Sequence, residues 1–586
     1  MGKGYLLLIN IGPVQGFIAT ARRTRDLYAG SRLLSEAAGK IAERLLERDV
    51  VLVFPAVQNR DELEALRKAG IPNAIMGIVN EPDPGRVADL AEAAREAMRT
   101  FLEETMASVF GRKKTQAVLK NPDAARRQVL DSLEFYWAAV PLNGDYPAAR
   151  ARVQRLMGAR KNTRDFAPVA WGGPVPKSSL SGSLESVTYG ANDADKYRAG
   201  LREGEELSGV DLLKRRYLAL EEGSPRGTLA FASTTHMALL PFLAGQKKED
   251  LETAEAKARA LQSKLGVRYD GWPPDHLVRA FPFLKEIDPR LFFPSRHREL
   301  AHEGGHVGEK APLWEETQRE LADFYRQLKR EPYPYYALLL ADGDRMGKAI
   351  DHQQSMEGHQ RISARLTEFS KKVKEIVEKH LGSLIYSGGD DVLALLPLHT
   401  ALQCASELAR AFEDALAEFT TGTGRSPTLS VGIAVVHHLF DLGEALNLAR
   451  KAEKEAKKTR NALAVVFSPR SGAETAVSGS WDEAPPLNER LERFARWLNQ
   501  DRIPGGFAYE LREAASALLS SGDEEEKALL AEEAVRILKR KAIAEKEVVG
   551  EIRKHIQCIG PDRLTGELVA ARPFAAAMAL AGKEDQ

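Results

Sequence analysis

Cysteine is almost missing from this chain: Cys404 and Cys558 are the only two among 586 residues. That excludes a disulfide framework, and it excludes a four-cysteine zinc site built from this chain alone. Long apolar runs are missing too. No stretch approaches the ~20 consecutive apolar residues needed to span a bilayer, and Met1-Gly2-Lys3-Gly4-Tyr5 leads straight into a strand-like run rather than a signal sequence. The third absence is net charge. With 83 Lys+Arg against 83 Asp+Glu, any nucleic-acid surface has to be a local patch rather than a property of the average. The expectation is a cytoplasmic, multidomain protein, because 586 residues exceed what one ordinary core accommodates.

What is present divides unevenly. Tyr5 to Ile11 is an apolar run ending at Gly12-Pro13; a helical pattern then runs from about Val14 to Arg48, followed by the apolar run Val50 to Phe54. Strand, helix, strand is the reading. Asp61 to Gly111 is largely helical around the strand candidate Ala74 to Val79, and residues 1–140 are taken as a first palm-like, ferredoxin-like domain. Residues 141–235, with Gly172-Gly173-Pro174 and the serine-rich Ser178 to Ser183, form an irregular or helical insertion. Residues 236–331 complete the first palm and supply linking helices.

From 332 to 480 the pattern is clearest. Tyr335 to Ala341 is a strand, Arg345 opens a long helix to about Leu381, and Leu384 to Leu396 is a pair of strands joined at Gly388-Gly389. A helix from Pro397 to Phe419, a strand from Thr428 to Val436, a helix from Leu442 to Thr459 and a last strand from Leu463 to Phe467 follow. This order is ferredoxin-like with one extra helix and strand. Amphipathic helices at Leu487 to Leu498 and Glu524 to Ile556 make 481–586 a helical C-terminal domain. The fold class is therefore α+β: two ferredoxin-like palm domains plus helical domains. The two palms echo each other. Laying Leu6-Leu7-Leu8-Ile9-Asn10-Ile11-Gly12-Pro13 over Ala337-Leu338-Leu339-Leu340-Ala341-Asp342-Gly343-Asp344 matches the apolar run and puts Ile11 and Pro13 where Asp342 and Asp344 stand.

Those acids are the candidate chemistry. Phosphoryl transfer from a triphosphate uses divalent ions, usually two about 3.5–4 Å apart, held by carboxylates. Asp342 ends one strand, while Asp390 and Asp391 sit in the turn between two others; in a ferredoxin-like sheet these strands are neighbours and their ends converge. Asp342, Asp390 and Asp391 are the expected catalytic and metal-binding residues, with Mg²⁺ or Mn²⁺ as the ion. Gly343, Gly388 and Gly389 leave room for a nucleotide at the backbone, and the two hairpin glycines permit the φ > 0 conformations of a two-residue turn. Asp344 adds a ligand or caps the next helix. Arg345 and Lys348 open that helix, Ser387 lies beside the turn, and Lys454 or Lys457 reaches from the helix after the Leu429 to Ile433 strand toward a triphosphate. Alone, Gly-Gly-Asp-Asp is an ordinary polar turn and Asp-Gly-Asp an ordinary loop with a cap. Together, at the ends of adjacent strands, they point to a nucleotidyltransferase. Arg22, Arg23 and Arg25 form a basic cluster that suits RNA, a partner subunit or a plain exposed helix face.

The chain resembles a known family, the large palm-containing subunit of type III-B CRISPR effectors, the Cmr complex. The resemblance rests on Ile11-Gly12-Pro13-Val14-Gln15-Gly16-Phe17-Ile18, on Ala21-Arg22-Arg23-Thr24-Arg25-Asp26-Leu27-Tyr28-Ala29-Gly30-Ser31, on Asp342-Gly343-Asp344-Arg345-Met346-Gly347-Lys348 and on Gly388-Gly389-Asp390-Asp391. It implies a ribonucleoprotein with a CRISPR guide RNA and smaller Cmr subunits, in which pairing with target RNA switches on synthesis of cyclic oligoadenylate from ATP. Relatives often begin with a nuclease domain carrying adjacent His-Asp, and this sequence contains no such pair; a form without that nuclease is expected. Relatives also carry a zinc site with two Cys-x-x-Cys pairs, and Ser178-Ser179-Leu180-Ser181-Gly182 and Ser208-Gly209-Val210-Asp211 resemble those positions without thiolates, so no zinc is expected. The alternatives are a cyclic-dinucleotide cyclase, which shares the palm and the glycine-glycine-acidic turn, and a non-catalytic architectural subunit that binds nucleotide or RNA.

Overall fold

The computed structural model describes residues 4–582 apart from 68–69, 164–172, 203, 219–229, 270, 307–312, 423, 519–522 and 542–544. Gly172 of the Gly-Gly-Pro break thus lies outside the described residues. Two sheets organise the chain. The first is formed by β1 (Tyr5–Gly12), β2 (Val51–Phe54), β3 (Ala74–Val79) and β4 (Glu134–Pro141) in the order β2-β3-β1-β4, with neighbouring strands antiparallel. The second is formed by β5 (Tyr335–Asp344), β6 (Ser383–Ser387), β7 (Val392–Leu396), β8 (Thr428–His437), β9 (Ala462–Phe467) and β10 (Thr475–Ser480) in the order β10-β9-β8-β5-β7-β6. The arrangement β6-β7-β5-β8 repeats β2-β3-β1-β4 strand for strand, which is the ferredoxin-like order.

Alternation along the central strands decides what each face meets. In β1, Leu7, Ile9 and Ile11 join a core with the helices Thr24–Leu46 and Pro84–Phe110, while Leu6 and Leu8 face Ala149, Val153 and Met157 of the helix Tyr146–Asn162. In β5, Ala337, Leu339 and Ala341 pack with the helices Met356–Lys379 and Leu398–Leu416, and this core continues into the C-terminal helices. The opposite face of β5, through Tyr336 and Leu338, enters the same apolar cluster as Ile9 and Leu27 of the first palm. One continuous core thus holds both palms. Polar contacts reinforce it: the Ala56 amide donates to Ser363 Oγ at 2.9 Å, Gln360 Nε2 to the Leu52 carbonyl at 3.0 Å, and Tyr28 and Ser383 share a hydroxyl hydrogen bond.

Several elements differ from the sequence expectation, each for a local reason. The helix expected from Val14 to Arg48 is two, Val14–Ala19 and Thr24–Leu46, because Arg23 is extended and its amide is capped by the Asp26 carboxylate. The helix expected from Arg345 to Leu381 is likewise two, Met346–Asp351 and Met356–Lys379, the second starting where Ser355 Oγ accepts the Gly358 amide at 3.1 Å. Glu524 to Ile556 is two helices, Glu524–Arg540 and Lys546–Cys558. Leu463 to Phe467 does not end the sheet: β10, Thr-Ala-Val-Ser-Gly-Ser, pairs antiparallel with β9 and lacks the bulky apolar residues that would announce a strand.

The insertion is tied to the first palm by buried charge. Arg215 donates to Asp26 Oδ1 and Oδ2 at 2.8 and 2.9 Å and to Glu205 Oε2 and Oε1 at 2.9 and 3.1 Å. Burial pushes Asp26 up, and Arg215 more than reverses it, leaving that carboxyl below its ordinary value. The two serine segments of the sequence analysis also meet: Ser178 Oγ and Ser208 Oγ donate to the same Asp211 oxygen at 2.6 and 2.7 Å.

Candidate functional site

The acidic site is assembled by strand register. Antiparallel pairing of β5 with β7 sets Ala341 opposite Val392, so one step further Asp342, just past the last paired residue though still within β5, lies beside Asp391. Asp390 is held against the same strand end. A Cβ on Gly343 would stand 2.8 Å from Asp390 Cβ, 2.7 Å from Met346 Cγ and 2.9 Å from Phe412 Cζ, so only glycine lets the hairpin close on β5. The hairpin loop is four residues long, Gly388 to Asp391, with the Gly388 amide donating to the Asp391 carbonyl at 3.0 Å. Only Gly389 takes a positive φ, 87°, which corrects the expected two-residue turn. Gly388 is required for another reason: a Cβ there would fall 1.8 Å from the Tyr386 hydroxyl.

The cation of the site comes from the helix Leu442–Thr459, which lies on the Asp342 face of the sheet. Its backbone comes so close to β8 that a Cβ on Gly432 would be 2.1 Å from the Glu453 nitrogen. At that approach Lys457 ion-pairs Asp342 and donates to the Gly343 carbonyl at 3.2 Å. Lys454, one turn earlier, is exposed, and of the two candidate lysines the structure brings Lys457 to the carboxylates. Lys451 and Lys458 are engaged elsewhere, with Glu474 and Glu455. Glu453, which sequence reading passes over, is a further half-buried carboxylate here; burial and then the Asp342 charge push its pKa up. Its signal is the four-residue spacing to Lys457, which puts both on one helix face.

Uncompensated negative charge marks the site. Burial first, then Asp342, pushes Asp390 up to about 6. Asp391 is pushed up to about 8, by burial, by the charges of Asp390 and Asp342, and by the hydrogen bond its protonated carboxyl gives to Asp342. Lys457 opposes both shifts without cancelling them. The donor set, three carboxylates short of positive charge, fits a hard divalent cation. As placed, no three acidic, histidine or cysteine side chains among the described residues surround a common cation position, and Asp342 is turned to Lys457 instead.

The remaining candidates separate. Asp344 is not at the site: 2 % exposed, it accepts Ser430 Oγ at 2.9 Å, Thr428 Oγ1 at 3.0 Å and the Asn461 amide at 2.8 Å, so its oxygens brace β5 against β8 and the start of β9. Arg345, in the left-handed region at φ 59°, and Lys348 are exposed on the six-residue helix that follows. Ser387 is buried with its hydroxyl unpartnered among the described residues, and it lines a cavity of about 440 Å³ between the palms, with Tyr28, Arg32, Arg67, Ser383 and Tyr386. Burial, then the Asp391 and Asp390 charges, raise the Tyr386 phenol well above its ordinary value. In the basic cluster, Arg22 pairs with Glu205 at 3.6 Å and Arg25 lies over the Phe231 ring at 4.9 Å, so both face protein. In the first palm, the positions matching Asp342 and Asp391 are Ile11 and Asn73, whose backbones pair at 2.9 Å; no carboxylate stands at either.

Comparison with known proteins matches residues 335–464 to the family described as Cas10/Cmr2, second palm domain, and residues 6–107 to CRISPR-associated protein Cmr2, N-terminal. The Cmr subunit Cmr2 of Pyrococcus furiosus is 23% identical over 565 residues, covering 81% of this chain and 63% of that protein. This chain therefore spans somewhat less than two thirds of that relative's length. Two solved structures of the type III-B Cmr-beta assembly, in the apo state and bound to cognate target RNA, share the fold at 14% identity: TM-scores are 0.64 and 0.65, with all of this chain and 82% and 83% of the matched chains covered. The Cmr2 N-terminal match thus falls on the first sheet and the Cas10/Cmr2 palm match on the second, so both sheets of this chain are similar to parts of that family.

Proposed function

We propose that this chain is the large subunit of a type III-B RNA-guided antiviral effector and that its second palm converts ATP into cyclic oligoadenylate once target RNA pairs with the guide. The observation that carries the reading is the convergence of Asp342, Asp390 and Asp391 where β5 and β7 part, with the Asp390 and Asp391 carboxyls pushed up by burial and neighbouring carboxylates. In the reaction a 3′-hydroxyl attacks the α-phosphate of ATP, the new phosphodiester forms, and pyrophosphate leaves. Asp342, Asp390 and Asp391 would hold Mg²⁺ or Mn²⁺, which when bound neutralises phosphate charge and lowers the pKa of the attacking hydroxyl. Lys457 meets phosphate oxygens from the helix side, while Gly343 and Gly388 to Gly389 let nucleotide approach the backbone. Ser387, in the cavity shared with Tyr28 and Arg32, gives the first palm a part in holding substrate, and Ile11 and Asn73 leave that palm without chemistry of its own.

The partners follow from the relatives: other Cmr subunits, a CRISPR guide RNA and target RNA. A cyclic-dinucleotide cyclase is the less favoured reading, because a single chain here already carries two palms on one apolar core. The test is assembly with guide RNA and partner subunits, then target RNA, ATP and Mg²⁺ or Mn²⁺, with chromatographic detection of oligoadenylates. Product is expected only with target RNA. Its absence from wild type, or its persistence after Asp390→Ala with Asp391→Ala, would defeat the proposal.

A further inference from the structure

The Lys457 ammonium sits on a group that the proposed chemistry needs free. It ion-pairs Asp342 and is steadied by the Gly343 carbonyl at 3.2 Å, while Asp390 and Asp391 carry no ion pair of their own among the described residues. The helix that bears it cannot drift, because its backbone rests on Gly432. The side chain can move: the two partners are 28% and 34% exposed, and a lysine stem is flexible. We propose that Lys457 is a resident counter-ion that guards Asp342, yielding it to a divalent cation chiefly when a triphosphate offers the displaced ammonium another anion. This rests on the nucleotidyl-transfer reading given above.

The consequence is linkage. A divalent ion binding alone has to break the Lys457–Asp342 pair and leave the ammonium with the Gly343 carbonyl in place of its ion-pair partner. When triphosphate binds as well, an ammonium–phosphate contact replaces the lost pair. Metal and triphosphate therefore favour each other through Lys457, and by reciprocity each strengthens the other by the same factor. The metal-binding carboxylates thus stay neutralised between turnovers, and metal loading becomes conditional on nucleotide. Lys454, exposed and not paired with Asp342, has a smaller effect.

The experiment is titration of the full chain with Mn²⁺ in the absence of nucleotide, read by calorimetry and by the free-ion paramagnetic resonance signal. Lys457→Met is expected to tighten Mn²⁺ binding by about fivefold, the scale of a partly exposed ion pair. Lys457→Arg, which keeps a cation, should stay near wild type, and Lys454→Met should change less than Lys457→Met. A non-hydrolysable ATP analogue should tighten Mn²⁺ binding by a larger factor in wild type than in Lys457→Met. Lys457→Gln gives the same comparison if the Met variant does not fold. Unchanged or weaker Mn²⁺ binding in the neutral variants, an equal gain in Lys454→Met, or no Mn²⁺ binding by any variant would overturn the guard. If Mn²⁺ binds as expected while the assembled effector makes no oligoadenylate, the guard stands and the proposed product falls.

Discussion

Replacing Asp391 with asparagine should make the metal-free protein more stable at alkaline pH. Asp390 and Asp391 have pKa values raised above those of the unfolded chain, to about 6 and about 8, because burial and neighbouring carboxylates disfavour their charged forms. Between pH 4 and 8 the folded state therefore holds more protons than the unfolded state, and the stability falls as pH rises through that window. The 2-unit shift at Asp390 alone corresponds to on the order of 3 kcal/mol of lost stability at pH 8. Asp391→Asn removes the carboxyl with the larger upward shift, and with it that part of the pH dependence. In a chelating buffer, thermal unfolding of wild type should drop between pH 5 and 8.5, with the transition that reports the second palm falling by roughly 5 °C or more. The variant should show a shallower slope and the higher midpoint at pH 8.5. Added Mn²⁺ should restore wild type and leave the variant nearly unchanged. Parallel pH slopes in the two proteins would refute the reasoning, because they would show that the acids do not share one field.

The two acids of Asp-Gly-Asp should behave oppositely. Asp344→Asn leaves Ser430, Thr428 and the Asn461 amide competing for one oxygen, so denaturant unfolding should show a loss of about 1–3 kcal/mol; Asp342→Asn should cost little stability and remove Mn²⁺ binding. Arg215→Met strands the buried Asp26 and Glu205 carboxylates, with an expected loss of about 3–5 kcal/mol seen as earlier unfolding or proteolysis at the insertion. Gly343→Ala drives a methyl into Asp390 and Phe412 and should abolish Mn²⁺ binding while leaving the far-ultraviolet circular dichroism spectrum unchanged.

The acidic hairpin, the strand order around it and the echo between the palms were legible in the sequence because each is local: apolar runs of strand length, turn residues between them, and acids at the strand ends. The repeated order β2-β3-β1-β4 and β6-β7-β5-β8 follows from those runs and the ferredoxin-like crossover. The helix breaks at Arg23 and Ser355 fall in short polar stretches between apolar-periodic segments, where an exposed helical turn and a break look alike and only the capping carboxylate or hydroxyl decides. The strand β4, Glu134–Pro141, lies in a stretch that the apolar-run reading left unassigned.

What the sequence determined by itself is the inventory: two palms, one with Asp342, Asp390 and Asp391 and one with Ile11 in their place. What only the tertiary structure decided is which side chains share a field. Asp342 and Asp344 are two residues apart and look interchangeable in the sequence, yet one meets Lys457 and Asp391 while the other is consumed by Ser430, Thr428 and Asn461. Lys454 and Lys457 differ by less than one helical turn, and the close approach at Gly432 selects the second. Charge interactions act through space over a few ångströms, so the roles of these residues follow from the register and helix packing that bring distant segments together.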